Sequence, residues 1–400
     1  MKKFLLIFLA LLPCLSLQAW DAGIILDTNP VVSGIKDADV NFDFSGILIP
    51  RFSASAGSKG KIFISMGAKT AYQSKQWSIV PEVLRTDISF RFGDSELGAG
   101  RMLYADPLGF IAEGLFDGVQ YALNTQAGSI SLGAWYTGLL YKKRAVITMT
   151  PDELQSWETA RGASAYTYFA PRRLVSALNW EHPALGEIVR AKIAVLCQFD
   201  LGDTNLHSQY LAAKFAIPAG AFVFDLGGCL EFIQDPGLIQ NKNKFSVALA
   251  GEAGINWNTP ARFEDRLSLS GRFSSGVADK GAVSAFLPLT TQFQGDVLQA
   301  KLSGLSILSL SYIARLHRTI SVNAASSYFI RSDLGTYTGY VNSLTGYFLG
   351  NEFFGRCIWS PVSDIQINLG GGAFLPSLGN VDPHAGVQWR VELSLILALL

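Results

Sequence analysis

Charge is what this 400-residue chain has least of. Asp, Glu, Lys and Arg make up 16% of it, against about 25% in an average soluble domain. The 32 basic and 32 acidic residues cancel. No cationic excess or stripe is present to neutralise a phosphate backbone, which excludes nucleic acid as a partner. Cysteine and histidine are scarce too, four of each, and scattered. No CxxC or HxxxH spacing occurs, so the sequence implies no metal site and no cofactor. Past the first segment only Cys197, Cys229 and Cys357 remain, and an odd count argues against a disulfide framework. Past that segment, too, no run of about 18 apolar residues appears, which excludes a helical membrane protein.

Apolar residues are nevertheless plentiful: 49% of the chain, with 39 glycines besides, at a mean hydropathy of +0.26. That excludes a disordered chain. The first segment takes a few of them. Lys2 and Lys3 precede an apolar stretch from Phe4 to Leu17, and Leu17-Gln18-Ala19 fits a small-residue cleavage site. This predicts a secretory signal peptide over 1–19, with 20–400 as one domain. Cys14 lies inside the leader, and Leu12-Pro13 before it match a lipobox poorly.

The remaining hydrophobicity is hidden by two-residue alternation. In Leu84–Phe92 one face reads Leu84, Thr86, Ile88, Phe90 and Phe92, the other Arg85, Asp87, Ser89 and Arg91. Successive strand side chains point to opposite faces, so one face suits oil and the other water. The pattern recurs at 189–199 around Arg190 and Lys192. It returns at 263–275 around Glu264, Arg266 and Arg272, and at 387–399 around Arg390 and Glu392. Weaker copies, including 129–141 and 296–314, bring the total to 17 strands. A further one at 22–28 predicts about 18, with 16 as the alternative. Several alternate for 13 residues or more, beyond the roughly five or six of an average strand and long enough to cross a bilayer. Connections alternate between short and long, as in outer-membrane barrels. Trp77, Trp180, Trp257 and Trp359 sit near strand ends, where a membrane interface favours indole. The one helical candidate is the short polar stretch 151–158. The fold class expected is all-β: a single transmembrane antiparallel β-barrel, resident in the bacterial outer membrane.

Two segments carry a family resemblance. Gly100-Arg101-Met102-Leu103-Tyr104-Ala105-Asp106 followed by Leu115-Phe116-Asp117-Gly118-Val119 resembles a hairpin of the alginate-export-type porins. Gly350-Asn351-Glu352 with Gly370 to Phe374 and Pro376 is similar to that family's penultimate hairpin. Met102 stands where the family has Gln, and Phe354 where an acid is common. The resemblance implies a large channel-forming barrel, and it alone makes Arg101 a pore candidate.

A closed barrel of this size turns its polar faces onto an aqueous interior. The pore-lining residues expected are Arg85, Asp87, Arg91, Arg101, Arg190, Lys192, Glu264, Arg266, Arg272, Arg390 and Glu392. Without Arg101 they are seven basic and three acidic. That composition predicts passive diffusion of small hydrophilic solutes, anionic or sugar-like. The partners expected are outer-membrane lipid, these solutes, and barrel-assembly machinery acting through the C-terminal strand; a homo-oligomer is left open. The alternative is a surface barrel of adhesin type without transport, using the loops 142–162, 277–295 and 331–343. The first of these holds Asp152, Glu153, Trp157, Glu158 and Arg161, and whether it folds inward is undecided. A soluble periplasmic β-protein is a further rival. A barrel enzyme is not expected: no GxSxG elbow is present, and the His207-Ser208 and Asp382-Pro383-His384 pairs read as ordinary polar positions.

Overall fold

In the computed structural model the described residues are 17–38, 40–73, 75–149, 153, 168–202, 206–234, 245–259, 263–277, 283–333 and 346–399. The expected leader thus lies outside them except for 17–19, which open the first strand. The helical stretch expected at 151–158 lies outside them except for Glu153. The described helical turns are an α-turn at Lys142–Ala145 and a 3-10 turn at Pro376–Leu378.

Alternation becomes strands throughout: β1 (Leu17–Ile35), β2 (Val40–Ala56), β3 (Gly60–Gln73), β4 (Gln76–Phe92), β5 (Ser95–Ala105), β6 (Glu113–Thr125), β7 (Gly128–Tyr136), β8 (Arg173–Leu185), β9 (Val189–Asp200) and β10 (His207–Ala219). They continue as β11 (Phe222–Gln234), β12 (Ser246–Asn258), β13 (Arg266–Ser274), β14 (Phe293–Gln294), β15 (Ala300–Lys301), β16 (Leu305–His317), β17 (Ile320–Arg331), β18 (Phe348–Val362), β19 (Ile365–Leu375) and β20 (Gln388–Leu399). Eighteen form one antiparallel sheet in which each strand pairs with the next, β13 pairs with β16, and β20 returns to pair with β1. The short β14–β15 hairpin stands apart from this wall. The sheet is therefore closed, without the two stacked layers of a sandwich. Closure leaves the sheet no free terminal strand, as hydrocarbon requires.

Side chains sort by parity. Leu249, Ile255 and Trp257 on β12, Leu267, Leu269 and Phe273 on β13, and Leu308 and Leu310 on β16 are all exposed on the outside. So are Trp77, Trp257 and Trp359. The opposite parity faces inward. Turns at 57–59, 93–94, 126–127, 186–188, 220–221, 318–319 and 363–364 close one rim, while connections such as 106–112, 137–172 and 275–304 leave the other.

Three expectations need correction. Leu84 does not share a face with Ile88. The β3–β4 register slips between Ile64 and Met66, so β4 carries an extra residue against Ser65. This bulge turns Leu84 inward, where it is buried. Glu264 is not on a strand face. It sits in the turn before β13, in the left-handed region at φ 47°, and meets Arg315 at the exposed rim. The strand expected over 296–314 begins only at Leu305; residues 296–304 belong to a segment that enters the barrel.

Candidate functional site

The interior is not an empty tube. Three connections turn into it and bind one another. Asp106 closes the first, its carboxylate accepting the backbone N–H groups of Leu108, Gly109, Ile111 and Ala112 at 2.8–3.1 Å. Burial pushes the Asp106 pKa up, and the four N–H donors pull the other way. The second connection brings Val146 and Thr148 against the third. Thr148 N–H donates to Leu289 O at 2.9 Å and Thr291 N–H to Val146 O at 2.8 Å. Thr290 ties all three: its N–H donates to Ile111 O, and its hydroxyl accepts the Glu113 N–H at 2.9 Å. Around this knot Phe110, Ile111, Phe286 and Leu289 pack onto the inward faces of β5–β12, at Met102, Tyr104, Phe116, Trp135, Val175, Leu196 and Tyr210. This apolar core lies inside the wall.

Wall residues hold the third connection at two further places. The Leu287 peptide is gripped at both ends: Glu231 accepts its N–H at 2.9 Å and the Tyr210 hydroxyl donates to its carbonyl at 2.7 Å. The tip of the β14–β15 hairpin presents the N–H groups of Asp296, Val297 and Leu298 to the Glu352 carboxylate at 2.7, 3.1 and 2.8 Å. Gly295 at φ +79° makes room, since a Cβ there would come within 2.8 Å of that carboxylate.

Beside this plug a cavity of about 390 Å³ remains, lined by Lys214, Arg266 and Arg272 with Asp225 and Glu252, by Asn256 and Gln294, and by the hydroxyls of Ser268, Ser270, Ser309 and Ser311. Strand register explains the charges. Glu181, Lys192, Lys214, Gly227, Glu252 and Arg272 are paired in succession from β8 to β13, so they form one row around the inner wall. Lys214 reaches Glu252 at 2.7 Å across Gly227, whose missing side chain leaves the path open. Arg272 meets the same carboxylate at 2.9 Å, donates to Gln294 at 2.8 Å and lies 4.9 Å over the Phe110 ring. The device repeats across Gly370, over which Arg356 meets Glu392 at 2.6 Å. Arg356 also meets Asp296 of the hairpin tip at 3.2 Å.

The residues expected to line the pore divide accordingly. Arg266 and Arg272 line the cavity, and Arg266 has no ion-pair partner among the described residues. Arg390 and Glu392 face inward and pair with each other. Arg85 and Asp87 face inward and pair at 2.5 Å, with the guanidinium over Phe63. Lys192 pairs with Glu181 in an exposed position, and Arg190 sits beside it near the short-turn rim. Arg91 pairs with Glu96 at the same rim. Such exposed pairs contribute about 0–1 kcal/mol. Glu264 lies in its turn, away from the lumen wall.

Arg101 points the other way. It shares parity with Leu103 on β5, and its partner Asp117 shares parity with Val119 on β6; both neighbours are exposed outward, at 64% and 51%. Arg101 and Asp117 form a two-pronged pair, both contacts 2.7 Å, on the outer side. The inward positions beside them are Gly100, close against the Thr86 backbone, and Gly118, against Trp135.

No sign in the sequence marks Glu231 or the role of Glu352, which hold the plug, or Lys214, Asp225 and Glu252 at the cavity. These acids erode the positive excess expected of the lumen. His207 and Ser208, adjacent in sequence, turn to opposite faces of β10. The histidine accepts Asp200 N–H at 3.1 Å and the serine hydroxyl meets Tyr210 at 2.9 Å.

Solved structures share this architecture. The chain resembles Pseudomonas aeruginosa OccK2 (OpdF) in complex with glucuronate, with a TM-score of 0.63 and 11% identity over 96% of this chain and 99% of that one. It resembles the outer membrane protein opdK from Pseudomonas aeruginosa at a TM-score of 0.61 and 11% identity, over 96% and 99%. A BenF-like porin from Pseudomonas fluorescens Pf-5 gives 0.60 and 9% identity, over 96% and 100%. The fold is thus that of the 18-strand porin barrels. No family model and no curated protein matches the chain.

Proposed function

We propose that the protein is a bacterial outer-membrane channel for passive diffusion of small hydrophilic solutes, with a preference for anionic, sugar-like ones. One observation carries this reading: the cavity beside the plug sets Lys214, Arg266 and Arg272 among serine hydroxyls and amides. Cations attract a carboxylate, and hydroxyls replace the water around a sugar's own hydroxyls. The preference is moderate because Asp225 and Glu252 stand in the same cavity. OccK2, similar in fold, has been solved with glucuronate. The hairpin motifs resembling alginate-export porins point to the same chemistry, a sugar carrying carboxylate, and uronates are the solute class we favour.

In this reading the chain is exported behind a leader over 1–19, and assembly machinery receives it through β20. The lumen charges act as selectivity elements where unpaired, as at Arg266, and as braces where paired. Catalysis has no support in the His207 and Ser208 geometry. The adhesin reading loses ground because much of the 275–304 connection is spent inside the barrel.

The test is reconstitution in planar bilayers under a KCl gradient, with liposome swelling in parallel. The expected results are a reversal potential of anion-selective sign and faster swelling with glucuronate than with a cationic sugar of equal size. No conductance, or cation preference, overturns the proposal.

A further inference from the structure

The ladder between β4 and β5 stops at Thr86 and Arg101, although β4 continues to Gln76. The β5–β6 hairpin ends low on the wall, and its connection folds inward. Above it one edge of β4 lacks a neighbouring strand, a costly state in a bilayer. Side chains take the place of the ladder. Arg101 Nη1 donates to Val83 O at 2.5 Å, and the Tyr168 hydroxyl donates to Pro81 O at 2.7 Å. Pro81 has no N–H to leave unmet, which suits an edge. Arg144 pairs with the Glu82 carboxylate.

The same Arg101 guanidinium grips Asp117 and also donates to Leu139 O at 3.0 Å. One side chain therefore joins β4, β6 and the root of the inward β7–β8 connection. The next residue, Leu140, is already buried in the interior core. Seven residues on from Leu139, Val146 begins the bonds to Leu289 and Thr291.

We propose that Arg101, standing outside the lumen, is the positioning residue of the channel's constriction. It closes the wall seam and fixes the point at which the loop turns inward. This rests on the channel reading above. Charges inside the lumen set which ions pass; Arg101 and Asp117, on the far side of the wall, set how firmly the constricting loop stands.

The test uses the full barrel carrying Asp117→Asn, Arg101→Lys or Arg101→Ala, with folding checked by heat-modifiable mobility. Amide exchange over 139–148 is expected to accelerate about tenfold or more, the shift that losing a charge-assisted bond produces. Brief larger-conductance events should become more frequent by a similar factor. The reversal potential should stay at its wild-type value, whereas Arg272→Ala should move it. Should Arg101→Ala fail to fold, the two conservative variants decide. Unchanged exchange and unchanged current noise in folded variants overturn the proposal. A reversal potential displaced as in Arg272→Ala also overturns it, because it places Arg101 in the ion path. If the wild-type barrel conducts nothing, the channel reading fails while amide exchange still tests the role of Arg101.

Discussion

The inner wall is two surfaces. From β5 to β12, toward the long-loop rim, inward positions carry Met102, Tyr104, Phe116, Trp135, Val175, Leu196 and Tyr210, sealed beneath the infolded connections. From β12 to β16 they carry Asn256, Ser268, Ser270, Ser309 and Ser311, and the cavity lies against them. Both halves obey the same outward rule of apolar side chains, the Arg101–Asp117 pair excepted. The difference shows that inward parity in a barrel does not mean wet. It means facing whatever the loops place there, which is a protein core on one side and water on the other.

That contrast can be broken most forcefully in the dry half. Trp135 is 1% exposed, lies tilted against the Tyr104 ring at 4.6 Å, and spreads over Gly133 and Gly118. Trp135→Ala should cost about 3–5 kcal/mol, seen as a lower midpoint in denaturant unfolding of the detergent-solubilised barrel. A smaller effect is expected where the plug meets the wall. Glu352→Ala removes the acceptor of three N–H groups, a loss of about 1.5–3 kcal/mol to the hairpin tip. Exchange at Asp296–Leu298 should quicken while the barrel's own midpoint stays near wild type. If the midpoint falls as far as in the Trp135 variant, the hairpin is part of the wall's stability and the division drawn above is wrong. In the wet half, Arg266→Gln should lower anion-over-cation permeability about two- to five-fold, since one charge acting through water at close range is worth roughly 1 kcal/mol. Glu264→Gln should do least. Its turn is exposed, so the reversal potential should stay at its wild-type value and stability within about 0.5 kcal/mol of wild type.

Much of the wall was legible in the residues. The alternation in β9, β13 and β20 gave the correct faces, and the extra strand suspected at 22–28 is the middle of β1. In β4 the reading slipped at Leu84, because a bulge adds a residue without any mark in the pattern. Arg101 failed for a different reason. Its neighbours Leu97 and Leu103 mark the outward face, and a family motif says nothing of that phase. The site was least legible. The bonds that fold the connections inward join residues far apart in the chain, such as Glu113 with Thr290 and Glu231 with Leu287. A local pattern cannot announce such a partner. Inward glycines at 227 and 370 were equally silent, although each opens the path for an ion pair across a strand.

The pairing of β1 with β20, from Ile24 opposite Leu399 to Ile35 opposite Gln388, has a consequence for how the molecule comes into being. The two elements furthest apart along the polypeptide are partners, so the cylinder cannot shut while synthesis or export is under way. Until that final zip both rims of the sheet are adhesive. The unfinished chain therefore has to be shielded from its own kind, and the bilayer entry step and the closing step become one event.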